Sequence, residues 1–154
     1  MEMPKPTADH KKLERLAGIW KGKDKLHPSP WDPKGGVAEG FQRGRVSLDG
    51  FAVVIDYEQS RDGKKSFAGH GVYTLDPKSK QVVLHWFDTM GQGAEEFRGS
   101  WKGEVLTLES KTAMGHARLS YDCSRAGALT SRMEMSQDGK SWAPMLDSTY
   151  QRAD

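Results

Sequence analysis

The chain has 154 residues, 36% of them hydrophobic, with 23 Lys plus Arg against 21 Asp plus Glu and a formal charge of +2. That length fits one domain, 1–154, able to bury about two thirds of its unfolded surface, and leaves no room for a second. The charges are spread, with 15 basic and 11 acidic groups in residues 1–80 and 8 and 10 in residues 81–154, so the clustered cationic footprint that nucleic-acid binding requires is missing.

The single Cys123 cannot form an intramolecular disulfide, and residues 1–6 (Met-Glu-Met-Pro-Lys-Pro) have no apolar stretch of the kind that opens a secretory signal. Together these point to a cytoplasmic protein. No apolar run approaches the ~20 residues needed to cross a bilayer, so no membrane partner is expected.

In chain order, residues 1–6 read as a disordered tail and 7–17 as the one helix. Thr7 or Asp9 can cap it, Leu13, Leu16 and Ala17 fall at helical spacing, and Gly18 stops it. The period then changes to two. Lys21, Lys23 and Lys25 alternate with Trp20, Gly22, Asp24 and Leu26, which makes the lysine face the solvent face. Residues 27–36 (His-Pro-Ser-Pro-Trp-Asp-Pro-Lys-Gly-Gly) exclude regular structure through three prolines in a short span. Trp31 on this loop either plugs one barrel end as core or lies as a lid over a ligand-binding mouth.

Beyond the loop, β-forming stretches recur between turn signals at Asp49-Gly50, Asp62-Gly63, Asp76-Pro77, Met90-Gly91, Lys102-Gly103, Met114-Gly115, Ala126-Gly127 and Asp138-Gly139. With the strand at 17–26, the expected strands are 37–48, 51–60, 66–75, 81–89, 94–101, 104–112, 116–124, 129–136 and 142–151. The fold class is therefore all-β: a single antiparallel up-and-down barrel of about 8–10 strands spanning 18–152, preceded by a short helix. A sandwich is the alternative, disfavoured because the hairpin spacing is nearly uniform.

The stretch Leu16-Ala17-Gly18-Ile19-Trp20-Lys21-Gly22 and the closing Tyr150-Gln151-Arg152 resemble the calycin superfamily of lipocalins, fatty-acid-binding proteins and nitrobindin-like barrels. Leu48-Asp49-Gly50-Phe51, residues 67–76 (Phe-Ala-Gly-His-Gly-Val-Tyr-Thr-Leu-Asp) and residues 86–91 (Trp-Phe-Asp-Thr-Met-Gly) are similar to a bacterial family of uncharacterised lipocalin-like proteins, a domain of unknown function. The likeness covers about residues 13–152. It implies a barrel with a central cavity and no established reaction. It also implies that Gly18, Trp20 and Arg152 close the barrel, the tryptophan packing across the base and the arginine lying over it, a contact worth roughly 0.5–2 kcal/mol. Nitrobindin-like relatives hold haem through a histidine near the C-terminus. No histidine follows His116 here, so no cofactor is expected.

Several residues could carry chemistry. Strand 51–60 has an inward set of Phe51, Val53, Ile55 and Tyr57 against Asp56 and Glu58. In 66–75, Phe67, Gly69, Gly71, Tyr73 and Leu75 share one face, where paired glycines suggest a closely approached backbone. Strand 81–89 is apolar on both faces, so periodicity leaves its orientation open. His70 and His85 on neighbouring arms, with Asp88 as an orienting carboxylate, form the best acid–base constellation if they face inward; otherwise they are ordinary wall histidines. Their spacing matches no short metal motif, and no metal is expected. Arg132 is either solvated or, if inward, an anchor for a ligand carboxylate, an ambiguity that Arg43 and Arg118 share. The methionines at 90, 114, 133, 135 and 145 are core filler or an adaptable ligand surface.

The expected function is non-catalytic binding of a small, largely apolar molecule in a cavity formed by Trp31, Phe51, Val53, Tyr57, Tyr73, Trp86 and Phe97, with His70, His85, Asp88 or Arg132 as polar contacts. The alternatives are an enzyme using His70, His85 and Asp88, and an interaction barrel that forms a homodimer through a flat wall.

Overall fold

Each strand pairs antiparallel with its neighbours in sequence, and the last returns to the first. The computed structural model describes residues 1–30 and 32–154. Its strands are β1 (Gly18–Leu26), β2 (Gly36–Ser47), β3 (Ala52–Arg61), β4 (Lys64–Leu75), β5 (Val82–Asp88), β6 (Glu95–Lys102), β7 (Val105–Thr112), β8 (Gly115–Asp122), β9 (Ala128–Ser136) and β10 (Ala143–Arg152). They form one closed barrel, with β1 paired to both β2 and β10. Closure removes the exposed edges of an open sheet and excludes the two-layered sandwich.

The helix is shorter than the sequence pattern suggests. An α-helix, α1 (Ala8–Lys12), tightens into a 3-10 turn over Leu13–Leu16. At three residues per turn, positions 13 and 16 fall on one side, and both leucines are fully buried beneath the barrel. Thr7 donates its backbone N–H to His10 Nδ1 at 3.0 Å, which fastens the start of α1.

The same end is closed by the seam. Trp20 is buried and donates Nε1–H to the Leu16 carbonyl at 3.3 Å. The Arg152 guanidinium carbon lies 5.4 Å from the Trp20 ring centroid. Arg152 N–H donates to Gly127 O at 2.8 Å and Ala153 N–H to Ile19 O at 2.7 Å, continuing the seam past the strand ends.

The opposite end carries the loops 27–30 with 32–35, 62–63, 89–94, 113–114 and 137–142. In the first of these, Asp32 pairs with Arg61 at 3.0 Å, and His27 Nε2 lies 2.8 Å from Asp147 Oδ2. Trp31, expected as plug or lid, lies outside the described residues. No helix among them is long and apolar enough to cross a membrane.

Candidate functional site

Between the plugged base and the looped end lies a cavity of about 430 Å³, within the range of small-molecule sites. Much of its wall is apolar: Leu26, Phe67, Leu84, Trp86, Phe97, Leu119 and four methionines, Met90, Met133, Met135 and Met145. A register shift between Pro144 and Leu146 on β10 lets the consecutive Met145 and Leu146 both line it. Met114, by contrast, is exposed in a turn.

A polar cluster is set into one side of this wall. Asp24, fully buried on β1, accepts hydrogen bonds from Ser148 Oγ at 2.7 Å and from the Tyr150 hydroxyl on one oxygen. Its other oxygen accepts from the Tyr57 hydroxyl and from Gln59 Nε2 at 3.4 Å. Each of its two oxygens thus accepts from two donors. Burial first, then the Asp24 charge, holds Tyr57 far above the ordinary tyrosine range. Burial, then Tyr57 and Asp24, does the same to Tyr150. Both phenols therefore stay protonated as donors.

The cluster depends on missing side chains. The inward positions of β2, between β1 and β3, include Gly40, whose added Cβ would lie 2.4 Å from the Tyr150 hydroxyl and 2.7 Å from Asp24 Oδ2. That gap lets a residue of β10, one of β1 and one of β3 meet across β2.

On the other side of the cavity, Trp86 on β5 covers the two glycines of β4. A Cβ on Gly69 would lie 2.0 Å from the indole, and one on Gly71 would lie 2.9 Å from Leu84 and 3.0 Å from the indole. Trp86 Nε1 donates to Asp88 Oδ2 at 2.8 Å. Asp88 also accepts from Met90 N–H at 2.9 Å, and it shares the cavity rim with Glu95, the partner of Trp86 on β6. Burial, and to a lesser degree the Asp88 charge, raises the Glu95 carboxyl above its ordinary value against an opposing hydrogen bond from Ser110. Gly69→Ala is expected to lever the indole into the cavity and to destabilise the fold by about 1–3 kcal/mol. Chemical denaturation measures this, and an unchanged midpoint would mean that the ring does not rest on Gly69.

The remaining interior polar groups are spent on one another or lie idle. Tyr73, fully buried, donates its hydroxyl to that of Tyr121 at 2.8 Å. Burial leads the causes that hold Tyr73 well above the ordinary range and push Tyr121 up to about 12. Burial likewise pushes the Cys123 thiol up to about 11, which leaves it unreactive near neutral pH.

The structure separates the residues singled out from the sequence. Tyr57, Trp86, Asp88 and Phe97 line the cavity. Val53 and Tyr73 are buried in the core without lining it. Phe51 is not on the inward face: β3 begins at Ala52, and Phe51 sits in the preceding turn, edge-on to His10 with centroids 5.1 Å apart. His70 and His85 are corrected to the outer face. Each stands opposite a carboxylate there, His70 with Nδ1 2.6 Å from Asp56 Oδ1 and His85 with Nε2 3.9 Å from Glu96. The barrel wall thus separates both histidines from Asp88, so the acid–base constellation is not assembled. Arg132 also points outward, in a two-pronged contact with Asp147 at 2.7 and 3.1 Å, and anchors no ligand carboxylate. Arg118 stacks on Trp142 at 4.1 Å and pairs with Glu134, and Arg43 is exposed over Phe41.

Several interior residues escaped the sequence reading, among them Asp24, Gln42, Gln59, Glu95 and Ser148. Alternation had already placed Asp24 on the Trp20 face of β1, and a carboxylate on a buried face was the available signal. Gln42 and Glu95 carried none, since each becomes an interior residue only through its pairing with Tyr57 and Trp86.

The family profile described as "Protein of unknown function (DUF1579)" matches residues 5–152. Among solved structures, Rv2717c from M. tuberculosis is similar with a TM-score of 0.71 and 17% identity, covering 96% of this chain and 99% of that one. The S-type phycobiliprotein lyase CPES from Guillardia theta follows the same fold at a TM-score of 0.60 and 13% identity, covering 97% and 99%. No curated protein sequence matches this chain significantly.

Proposed function

The chain belongs to the DUF1579 family of proteins of unknown function, and from that premise we propose that it is a carrier, holding a small, largely apolar molecule in its barrel without changing it. The observation that carries this reading is the cavity of about 430 Å³ with an aromatic and methionine wall. Methionine side chains adapt to irregular shapes, which suits a site that admits a flexible apolar body. The calycin-like sequence features agree with such a role, as does a fold neighbour named as a phycobiliprotein lyase. Catalysis is less well supported because, among the described residues, no histidine lines the cavity.

Titration with the uncharged fluorophore N-phenyl-1-naphthylamine tests the proposal. Saturable enhancement at one probe per chain is expected. Met133→Trp, which fills the cavity from β9, should weaken the probe by about tenfold or more. Leu119→Phe, from the facing position on β8, is a smaller filling in case the first variant does not fold. Absence of saturable binding, or equal affinity in a folded filled variant, would overturn the carrier reading.

A further inference from the structure

We infer that the molecule suited to this cavity is an organic cation, an apolar body bearing a protonated or quaternary nitrogen. The inference rests on the carrier reading and adds the charge of the cargo. Three carboxylates belong to the interior: Asp24 in the buried cluster, and Asp88 and Glu95 at the rim. Among the described residues none of the three takes part in an ion pair, and no Lys, Arg or His lines the cavity. The nearby arginines are engaged outside, Arg132 on Asp147 and Arg118 on Glu134, and the His70 ring lies against Asp56 on the outer face. A partly enclosed space whose described wall carries only negative formal charges attracts a cation and repels a carboxylate.

Two further observations point to a ligand here, the first of them independent of the acids. Gln42 is 4% exposed, lines the cavity, and its Nε2 has no hydrogen-bond partner. A buried amide donor left idle is costly, and an oxygen on a bound molecule would satisfy it. Trp86 also stands between the rim carboxylates, bonded to Asp88 and paired with Glu95, with its ring covering the β4 glycines. An indole beside carboxylates is a favourable seat for a quaternary or protonated nitrogen. A metal ion fits less well, since the described residues contain no group of three potential ligands that could hold one.

The acidity of Glu95 gives the site a pH dependence. Asp88 from β5 is the charge acting on it and Ser110 from β7 its hydrogen-bond donor. A group whose carboxyl value is already raised loses its negative charge early as pH falls. Cation affinity should therefore rise with pH through the Glu95 titration.

The test is displacement of N-phenyl-1-naphthylamine by three ligands with the same chain, n-decylammonium, n-decanol and n-decanoate, at pH 7.5. The ammonium is expected to displace the probe at about tenfold lower concentration than the alcohol, and decanoate to be the weakest. In Asp88→Asn/Glu95→Gln the ratio of ammonium to alcohol affinity should fall by about tenfold. Glu95→Gln alone reads the same ratio if the double variant does not fold. An alcohol as strong as the ammonium, a stronger decanoate, or an ammonium that displaces nothing would overturn the cationic assignment and leave the carrier reading standing. If neither probe nor alcohol binds, the carrier reading fails and the cationic assignment with it.

Discussion

Asp24→Ala is expected to lower the thermal midpoint by about 10 °C. Two effects oppose each other. A buried carboxylate is expensive to keep, and replacing a whole polar cluster with apolar groups is often neutral or stabilising. Truncating Asp24 alone does not replace the cluster. It leaves the hydroxyls of Tyr57, Tyr150 and Ser148 facing the space where their acceptor stood. Each orphaned buried donor costs roughly 1–3 kcal/mol, and only Gln59 keeps a partner, since it still donates to the Tyr57 hydroxyl. A loss of about 4 kcal/mol follows, and at this size each kcal/mol moves the midpoint by about 2–4 °C. Asp24→Asn keeps one acceptor oxygen and should cost about half as much. Calorimetry separates the two variants. A midpoint within about 2 °C of the parent for Asp24→Ala would mean that water replaces the carboxylate without loss.

Gly22→Ala should be comparably damaging through sterics rather than polarity. A Cβ at this position would lie 1.9 Å from the Thr149 carbonyl oxygen and 2.8 Å from Tyr150 Cδ1. The first contact is with backbone, which cannot rotate aside as a side chain does. Relief therefore requires β1 and β10 to move apart at the seam, where Gly22 pairs with Tyr150. Moving Tyr150 also withdraws its hydroxyl from Asp24. A cost of about 3 kcal/mol or more is expected, read as a lower denaturation midpoint with faster hydrogen exchange along β1 and β10. Retention of parental stability would show that the seam has slack that the close contact conceals.

Both predictions concern one construction: a bare stretch of β1 and β2 over which Tyr150 leans to reach Asp24. Gly22 and Gly40 are directly paired, and each lies within 3 Å of Tyr150 by the position its Cβ would take. Stability and the polar side of the cavity are thereby linked. A substitution that loosens the seam also changes what the cavity offers a ligand.

The fold was largely legible because its signals are local. Turn dipeptides separate stretches of period two, and the ten strands lie within about two residues of where that pattern puts them. The alternation of β1 and the inward set Val53, Ile55 and Tyr57 read in residues 51–60 assigned those faces correctly, while Phe51 of the same set lies in the turn. Strand β5 could not be assigned by pattern, because Val82, Val83 and Leu84 are all buried, on both faces. Its orientation follows from register. Once Val53 is inward, its partner Tyr73 is inward, and so is Leu84, the partner of Tyr73 on the next strand. The same chain of pairings turns His70 and His85 outward, against the acid–base alternative.

What the sequence alone determined is therefore the set of strands and their simple order, since each rests on neighbours along the chain. The candidate site was decided by tertiary structure. Asp24 meets Tyr57 from 33 positions away and Tyr150 from 126, and only closure of the barrel in one register makes those three neighbours. The charge of the interior was decided in the same way, because a step of one residue in register exchanges the two faces of a strand. It sends Arg132 to the solvent and leaves Asp88 and Glu95 at the rim.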